Sequence, residues 1–467
     1  MIAQKFIGDK SFYRRVMVIA VPIMVQNAIT NFVSMLDNVM VGQIGTAEMS
    51  GVSIVNQLIF VYFLCIFGGL SGAGIFTAQY YGNGDEEGIR HTFRYKLWMG
   101  IILTLIAMFL LKCFGTQFIS LYLNDGNNSG DIAATLTNGL NYLHIILFGL
   151  PAFMMVQVYS GTLRDCGKTI VPMFAGICAV LVNLVLDYIL IFGKFGLPAL
   201  GVAGAAIATV IARYVEFSIV AIWCHTHARE LPYIKGIYHT LIVPSPLAKQ
   251  YFLKGFPLLI NESLWAAGMA TLTQCYSMRG ITVVAALNIS NTLNNVLSVF
   301  FIALGDAVAI IIGQLLGAGK MKEAKDADNK LIAFGVAAGV FAALLLLIGS
   351  SFFPKLYNTS DEVKRLAVLF IFAQAAFTPQ IALLHTTYFT LRSGGKTIVT
   401  FLFDSVFLWI LSAPLAYVLS RFTEVHVLTI FIAVNLADLI KCAIGIRLVH
   451  KNVWMNDLSR TEAKGGA

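Results

Sequence analysis

Residues 163–171 read LRDCGKTIV, and residues 391–399 read LRSGGKTIV. The two stretches differ only at their third and fourth positions, and subtracting 163 from 391 gives an offset of 228. The glycine before the lysine permits the backbone of a tight turn, and the Arg and Lys suit the headgroup level of a bilayer. The match predicts an internal duplication, with the same basic turn in each half of the chain.

A second pair of matching stretches supports this duplication. Residues 78–84 read AQYYGNG and residues 312–319 read IGQLLGAG, with Gly82 aligned to Gly317. Subtracting 82 from 317 gives an offset of 235, which also relates Pro22 to Pro257 and Asn56 to Asn291. In a membrane chain, two matching halves are the usual layout of a secondary transporter, whose substrate site lies between them.

The composition is that of a membrane protein. Of the 467 residues, 58% are hydrophobic and 12% are charged, and the mean hydropathy is +0.78. Soluble domains carry about 25% charged residues, and a helix needs about 20 mostly apolar residues to span a bilayer. Twelve apolar runs are this long: 14–42, 49–80, 96–115, 132–160, 168–193, 200–224, 251–278, 282–314, 330–353, 362–390, 397–420 and 425–447. Because such continuous runs do not suit the alternating strands of a barrel, we predict an all-α membrane protein with twelve transmembrane helices.

The repeat divides these helices into two pseudo-symmetric six-helix bundles. We assign residues 1–228 to an N-lobe with predicted helices 1–6, and residues 251–455 to a C-lobe with predicted helices 7–12. Residues 229–250 are polar and contain proline, which predicts a cytoplasmic linker, and residues 456–467 are predicted to form a cytoplasmic tail. Because each half holds an even number of spans, the halves share one orientation, and their symmetry axis runs along the membrane normal.

The positions of Lys and Arg orient the chain. They concentrate in segments that face one side, including Lys5, Lys10, Arg14, Arg15, Arg90, Arg94, Lys96, Lys320, Lys322, Lys325 and Lys330. Since cytoplasmic loops carry this excess, we predict a multi-pass protein of the cell inner (cytoplasmic) membrane with both termini in the cytoplasm. The asymmetry explains the net charge of +8 without a nucleic-acid partner, because no basic patch lies on a soluble domain. We expect a monomer in the lipid bilayer.

The motifs of common enzymes and metal centres are missing from the sequence. It contains no HExxH, GxSxG or P-loop motif, and its seven cysteines form no CxxC pair. We therefore predict that the protein is not an enzyme and has no resident cofactor.

Ionisable residues inside the predicted helices are costly to bury in a bilayer, which makes each one a candidate for function. They are Asp37, Asp187, Arg213, Glu216, Glu262, Asp306, Asp404, Asp438, Lys441 and two lone histidines, His144 and His385, which we interpret as packing residues. Arg213 and Glu216 are three residues apart, as are Asp438 and Lys441, and this spacing places each pair on one helix face. We interpret both pairs as structural ion pairs within their own helices.

Asp37, Asn183 and Asp187 have no such basic neighbour. Asn183 and Asp187 are four residues apart in predicted helix 5, so their side chains lie on one helix face. A carboxylate in a medium of low dielectric constant binds a cation or takes up a proton. These residues therefore predict a cation-coupling site, and the alternative is a hydrogen-bonded carboxylate at a helix end.

Glu262 and two prolines are further candidates. Glu262 lies in predicted helix 7, where it serves either as a substrate or second coupling site or as a structural hydrogen-bond partner. Pro22 and Pro257 lie inside predicted helices 1 and 7, and a proline removes one helix hydrogen bond and permits a kink. We predict a hinge at these prolines, with a static bend as the alternative.

Together these features resemble the multidrug and toxic compound extrusion (MATE) family of efflux transporters. The resemblance covers nearly the whole chain. It rests on LDNVMVGQIG at 36–45, AQYYGNGDEEGIR at 78–90, GQLLGAGKMKEAK at 313–325, the repeated LRxxGKT turn, and NLVLDYILIFG followed by GVAGAAIAT. It implies two six-helix bundles that open alternately to the two sides of the membrane. It also implies export of small-molecule drugs and other organic, often cationic or amphipathic, compounds in exchange for Na⁺ or H⁺.

The resemblance also implies a cation site. In this family the N-lobe site uses an Asp on helix 1, an Asn and an Asp four apart on helix 5, and a Thr on helix 6. These match Asp37, Asn183, Asp187 and Thr209, with the backbone of Ala205 as a further ligand. The four side chains would bind the metal if the coupling ion is Na⁺, whereas one carboxylate suffices for H⁺.

The C-lobe departs from one branch of the family. Glu262 matches an acid on helix 7 of that branch, which also carries an acid on helix 10. This chain has Ile381 at the helix 10 position, so the C-lobe site of that branch lacks its second acid here.

Two other functions fit parts of the pattern. A flippase for a lipid-linked saccharide precursor shares the superfamily fold, but we expect its cavity to present several Arg and Lys to phosphate. Only Arg213 and Lys441 lie within the predicted spans here, and both have acids nearby. A membrane-embedded enzyme or receptor is disfavoured by the missing catalytic motifs and ligand-sensing domain. The sequence thus predicts a cation-coupled antiporter.

Overall fold

The structure is a computed structural model that describes residues 6–123 and 129–459. Residues 1–5 of the predicted N-lobe, and the predicted tail from residue 460 onward, lie outside the described residues.

Helices form nearly all of the described chain, which contains no strand in those ranges. The α-helices there are α1 (Lys10–Gly42), α2 (Thr46–Asn83), α3 (Glu86–Ser120), α4 (Ser129–Ile146), α5 (Leu150–Asp165), α6 (Ile170–Phe192), α7 (Val202–Thr226), α8 (Ser245–Ser277), α9 (Ile281–Gly317), α10 (Met321–Ser350), α11 (Asp361–Ser393), α12 (Thr397–Phe401), α13 (Ala413–Phe422) and α14 (Val427–His450). A 3₁₀ turn at Leu147–Gly149 joins α4 to α5. Two π-helical segments, Leu402–Val406 and Leu408–Ser412, lie between α12 and α13.

Eleven helical stretches of the described chain are long and apolar enough to cross a membrane. The pair α4 and α5 makes one of these stretches, and the run from α12 through α13 makes another. Helix α8 has 33 residues but carries Lys249, Lys254 and Glu262, which lower its hydropathy. With α8 included, the long helices number twelve, and each predicted apolar run corresponds to one of them.

The described residues divide into two compact units. The N-unit contains residues 25–77 and 86–252, and the C-unit contains residues 1–24, 78–85 and 253–467, in each case as far as they are described. The border crosses α1 two residues after Pro22 and crosses α2 after Thr77. Neither unit is therefore a single continuous stretch of the sequence.

Helix α1 begins at an Asx cap. Asp9 precedes the helix, and its Oδ1 accepts a hydrogen bond of 2.9 Å from the backbone amide of Phe12. This bond satisfies one of the amides that a helix leaves without a partner in its first turn. It also lowers the pKa of the Asp9 carboxyl below its ordinary value, because the amide stabilises the charged form.

The two repeated basic stretches form equivalent turns, one in each unit. Gly167 and Gly395 both have a positive φ, at 77° and 70°, where glycine is favoured. The amide of Gly167 donates to the carbonyl of Arg164, and the amide of Gly395 donates to the carbonyl of Arg392, each at 2.8 Å. The prediction that these stretches are tight turns built on glycine is confirmed.

The segment predicted as a linker belongs to the N-unit, where it packs against α3. Arg94 of α3 donates from Nε to the carbonyl of Ile237 at 3.1 Å and from a terminal nitrogen to the carbonyl of Gly236 at 3.3 Å. Trp98, one turn further along α3, donates from its indole to the carbonyl of Leu241 at 2.9 Å. The linker backbone is thus bound at several points by the side chains of α3.

Within the C-unit, the two repeated glycine motifs approach each other at backbone distance. A Cβ atom on Gly82, near the end of α2, would collide with the carbonyl of Gln314 in α9. A Cβ atom on Gly317 would collide with the carbonyl of Gln79 in the same way. Gln79 and Gln314 are equivalent positions of the repeat, so the seam has internal two-fold character, and glycine permits the close approach.

Candidate functional site

The predicted cation-site residues lie on three helices of the N-unit. Asp37 is half-buried on α1, while Asn183 and Asp187 are buried on the same face of α6. Ala205 and Thr209 lie on α7, which packs against α6. A turn through residues 193–201 returns the chain from α6 to α7, so these two helices are neighbours in the fold.

Asp37 and Asp187 interact directly through their carboxyl groups. Asp187 is only 1% exposed, so its carboxyl is almost wholly removed from solvent. Among the described residues, Oδ1 of each aspartate and Nδ2 of Asn183 are buried without a hydrogen-bond partner. Two carboxylates this close repel each other unless they share a proton or bind a cation.

Thr209 and Ala205 add oxygen atoms on α7. The hydroxyl of Thr209 donates to the carbonyl of Ala205 at 3.0 Å. Tyr142 of α4 interacts with Thr209, and its hydroxyl also donates to Oδ1 of Asn56 at 3.2 Å. Sequence reasoning missed Tyr142, because a tyrosine within an apolar run carries no signal of its own.

The donor set fits a small hard cation. It offers two carboxylate oxygens without partners, a hydroxyl and a backbone carbonyl, which are the ligand types that alkali and alkaline-earth ions prefer. A single proton shared between Asp37 and Asp187 would relieve the same repulsion. No group of three or more His, Cys, Asp or Glu side chains suitable for a metal occurs among the described residues.

Arg213 lies within electrostatic reach of Asp37 but forms its ion pair elsewhere. Its guanidinium is 2.9 Å from Glu216 on the same helix, as the spacing predicts. Phe153 lies below the guanidinium, with its ring centre 5.5 Å away. The predicted ion pair between Arg213 and Glu216 is confirmed.

The second predicted ion pair is wrong. Lys441 of α14 does not pair with Asp438 on its own helix, because its Nζ lies 2.6 Å from Oδ1 of Asp404 in the first π-helical segment. Asp438 instead accepts a hydrogen bond of 3.4 Å from the hydroxyl of Ser412. A lysine side chain is long enough to reach a neighbouring helix, and i,i+3 spacing does not exclude such a contact.

Glu262 is half-buried on α8 of the C-unit, in electrostatic contact with Arg392 and Asp404. The preceding residue, Asn261, is 2% exposed and donates to Oδ2 of Asp404 at 3.1 Å. The structure therefore places Glu262 at the edge of the polar cluster around Asp404.

The predicted hinge residues lie where the sequence places them. Pro22 is inside α1 and Pro257 is inside α8, and α11 contains a third internal proline, Pro379. Pro22 is two residues from the border between the compact units, and Pro257 lies five residues beyond Phe252, where the N-unit ends.

A cavity of about 880 Å³ lies elsewhere in the N-unit, between α6 and α7. Phe174, Tyr214 and Trp223 are among its mostly apolar lining residues. None of the predicted cation-site residues lines this cavity, so it is distinct from the carboxylate pair.

The family model described as MatE matches this chain twice, at residues 22–189 and 257–418. The two matches begin at Pro22 and Pro257, which are equivalent positions of the internal repeat. The duplication seen in the sequence is therefore a duplication of the family's own unit.

Two curated relatives match along most of their length. The "Probable multidrug resistance protein NorM" of Mannheimia succiniciproducens is 27% identical over 412 residues, or 87% of this chain and 86% of that protein. The "Multidrug resistance protein NorM" of Photobacterium profundum is 24% identical over 409 residues, or 87% of each chain.

Solved structures show the same fold. A MATE transporter of Vibrio cholerae, VcmN, superposes with a TM-score of 0.84 at 18% identity, covering 96% of this chain and 98% of that chain. A MOP superfamily transporter from Pyrococcus furiosus gives a TM-score of 0.82 at 16% identity, covering 96% and 97%. The predicted class, an all-α membrane protein with twelve transmembrane helices in two six-helix halves, is confirmed. Since the family model covers most of its length, the chain belongs to the MatE family, the multidrug and toxic compound extrusion transporters.

Proposed function

We propose that this transporter is a Na⁺- or H⁺-coupled antiporter that exports organic, often cationic or amphipathic, drugs by alternating access. The multidrug resistance proteins to which this chain is similar support the drug-like cargo. The observation that carries the coupling is the contact between Asp37 and Asp187, with one oxygen of each carboxyl buried and without a partner among the described residues.

The carboxylate pair supplies the energetic basis for exchange. Without a cation, the two carboxylates repel each other in a medium of low dielectric constant, and a bound Na⁺ or H⁺ removes that repulsion. We propose that cation binding draws α1 towards α6 about a hinge at Pro22 and lowers the affinity for drug. By linkage, drug binding then lowers the affinity for the cation to the same extent.

The driving force is adequate for export. Each elementary charge that enters across 100 mV contributes about 2.3 kcal/mol. We place the protein in the inner (cytoplasmic) membrane as a monomer, with both termini cytoplasmic, on the basis of its Lys and Arg distribution.

The flippase alternative is disfavoured by the pairing of the intramembrane cations. Arg213 is bound to Glu216 at 2.9 Å, and Lys441 is bound to Asp404 at 2.6 Å. A phosphate-bearing cargo requires cations that are available to it, and here both are already neutralised by carboxylates.

Ethidium efflux from proteoliposomes tests the proposal, with Na⁺ and pH gradients imposed separately. We expect efflux to follow one of the two gradients in the parent protein and to be lost in Asp37→Asn. Asp361→Asn is the matched control, because Asp361 is exposed in the first turn of α11. Gradient-driven efflux that is equal in Asp37→Asn and the parent contradicts the coupling role of Asp37.

A further inference from the structure

The C-unit contains a buried ion pair between two different membrane helices. Nζ of Lys441 on α14 lies 2.6 Å from Oδ1 of Asp404 in the π-helical segment Leu402–Val406. The two side chains are only 12% and 19% exposed. π-helical segments are rare and frequently occur at functional sites, which makes this pair a candidate for a function.

Both oxygens of Asp404 are occupied. Oδ1 binds Lys441, and Oδ2 accepts a hydrogen bond of 3.1 Å from Nδ2 of Asn261. The hydroxyl of Ser405 lies 2.8 Å from both the backbone carbonyl oxygen and Oδ1 of Asn261, so the oxygen side of the amide is next to a donor and its nitrogen is towards Asp404. Phe403 lies beneath the lysine ammonium, with its ring centre 5.4 Å away.

This arrangement is the opposite of the N-unit site. There, Asp37 and Asp187 each retain an oxygen without a partner among the described residues, and the nearby Arg213 is bound to Glu216. A carboxylate whose charge is balanced by a tethered ammonium has no need of a free cation. The N-unit site therefore requires an ion from solution, whereas the Asp404 site contains its own.

The internal repeat shows which residues differ between the two sites. In the register that aligns Leu163 with Leu391, Lys441 is equivalent to Arg213, but the equivalent of Glu216 is Ile444. Lys441 therefore has no acid three residues further along its helix. In the same register, Asp404 is equivalent to Gly176. The acid that balances the α14 cation thus lies on another helix.

The helix contact at Asp404 in the C-unit has an equivalent at Gly176 in the N-unit. A Cβ atom on Gly176 would lie 3.0 Å from Nε2 of Gln26. Gln26 is equivalent to Asn261 in the register that aligns Pro22 with Pro257, and Asn261 contacts Asp404. The same two helices therefore meet at the same place in both units, and the C-unit has an additional carboxylate there.

We propose that Lys441 is a built-in counter-cation, whose ammonium takes the place of an exchangeable Na⁺ or H⁺ at Asp404. This inference rests on the proposed antiport and specifies its stoichiometry, with one exchangeable cation site per chain, in the N-unit. Other charged groups near the pair are Glu262 of α8, His385 of α11 and Asp438 of α14. Arg392 lies within electrostatic reach of Glu262, so that acid also has a protein-borne cation nearby.

Cation binding to the purified full-length protein tests this proposal without requiring transport. The readouts are ²²Na⁺ bound per chain and the infrared carbonyl band of a protonated carboxylic acid at neutral pH. We expect Lys441→Met to gain one cation equivalent per chain, as a second Na⁺ site or a new carboxylic acid band. The double variant Asp404→Asn with Lys441→Met should lose that gain, and Lys441→Arg should behave like the parent.

Two results overturn the proposal. One is a folded Lys441→Met protein with no additional Na⁺ or protonated carboxyl. The other is a parent protein with a cation site that survives Asp37→Asn and disappears in Asp404→Asn. The second comparison needs no lysine variant, so it decides the matter even if Lys441→Met does not fold. If the proposed antiport is wrong, the efflux assay shows it separately, because ethidium efflux then depends on neither the Na⁺ gradient nor the pH gradient.

Discussion

Asp37 of α1 and Asp187 of α6 are separated by most of the N-terminal half of the sequence, yet their carboxyl groups meet inside the N-unit. Each has one oxygen that is buried without a partner among the described residues. The interaction between these two carboxyl groups, and so between α1 and α6, therefore depends on whether a cation is present. The contact is attractive when a cation or proton lies between the carboxyls and repulsive when neither does.

The first prediction concerns Asp187→Asn. The amide cannot carry the charge that attracts a cation, so gradient-driven drug efflux should fall about tenfold or more, within the usual range of coupling between sites. The folded protein should unfold at a higher temperature than the parent when no cation is present, because the variant has one fewer buried charge. Thermal unfolding in detergent measures the second effect, and an unchanged melting temperature together with normal efflux would refute both.

The second prediction concerns the glycine seam of the C-unit. Gly82→Ala should destabilise the protein by about 1–3 kcal/mol, because the added methyl meets the backbone carbonyl of Gln314 and backbone atoms cannot rotate away. Gly161→Ala is the matched control, since a Cβ atom there has no atom within 4 Å. Thermal unfolding of the two variants should separate them clearly. Equal melting temperatures would show that the seam is looser than the structure indicates.

The third prediction concerns the linker. Arg94→Ala removes two hydrogen bonds to the carbonyls of Gly236 and Ile237 and leaves those groups without their partner. We expect a loss of about 1–3 kcal/mol of stability and faster tryptic cleavage at Lys235. Arg229→Ala, which changes an exposed arginine of the same segment, should have neither effect. If both variants are cleaved at the same rate, the hydrogen bonds from Arg94 do not protect the linker.

The fold and the candidate cation site of the N-unit could be predicted from the sequence. The repeated LRxxGKT turn and the twelve apolar runs predict the helices, because both signals are local in the chain. Asp37, Asn183 and Asp187 are likewise identifiable, since a carboxylate in an apolar run is rare and therefore informative.

The partners of Asp404 could not be predicted in this way. The pairing of Lys441 depends on which helix faces α14, and the spacing to Asp438 suggests a different partner. The π-helical segment around Asp404 leaves no simple periodic signal in the sequence. Tyr142 could not be predicted from the sequence for a related reason, because its contact with Thr209 depends only on how the helices pack.

The fourth prediction distinguishes a hinge from a static bend in α1. Pro22→Ala restores a backbone donor within the helix, so the protein should be at least as stable as the parent. If α1 bends during transport, efflux should slow severalfold in this variant while ethidium affinity in detergent changes little. Unchanged efflux would favour a static bend at Pro22.

The most direct test of the central claim is the affinity of the purified protein for ethidium, measured by fluorescence as Na⁺ is raised at fixed pH and, separately, as pH is lowered without Na⁺. We predict that one of these cations weakens ethidium binding about 5- to 150-fold in the parent and has no effect in Asp37→Asn. An affinity that ignores both cations in the parent, or that responds equally in the parent and the variant, would contradict the claim that the Asp37 and Asp187 pair couples cation and drug.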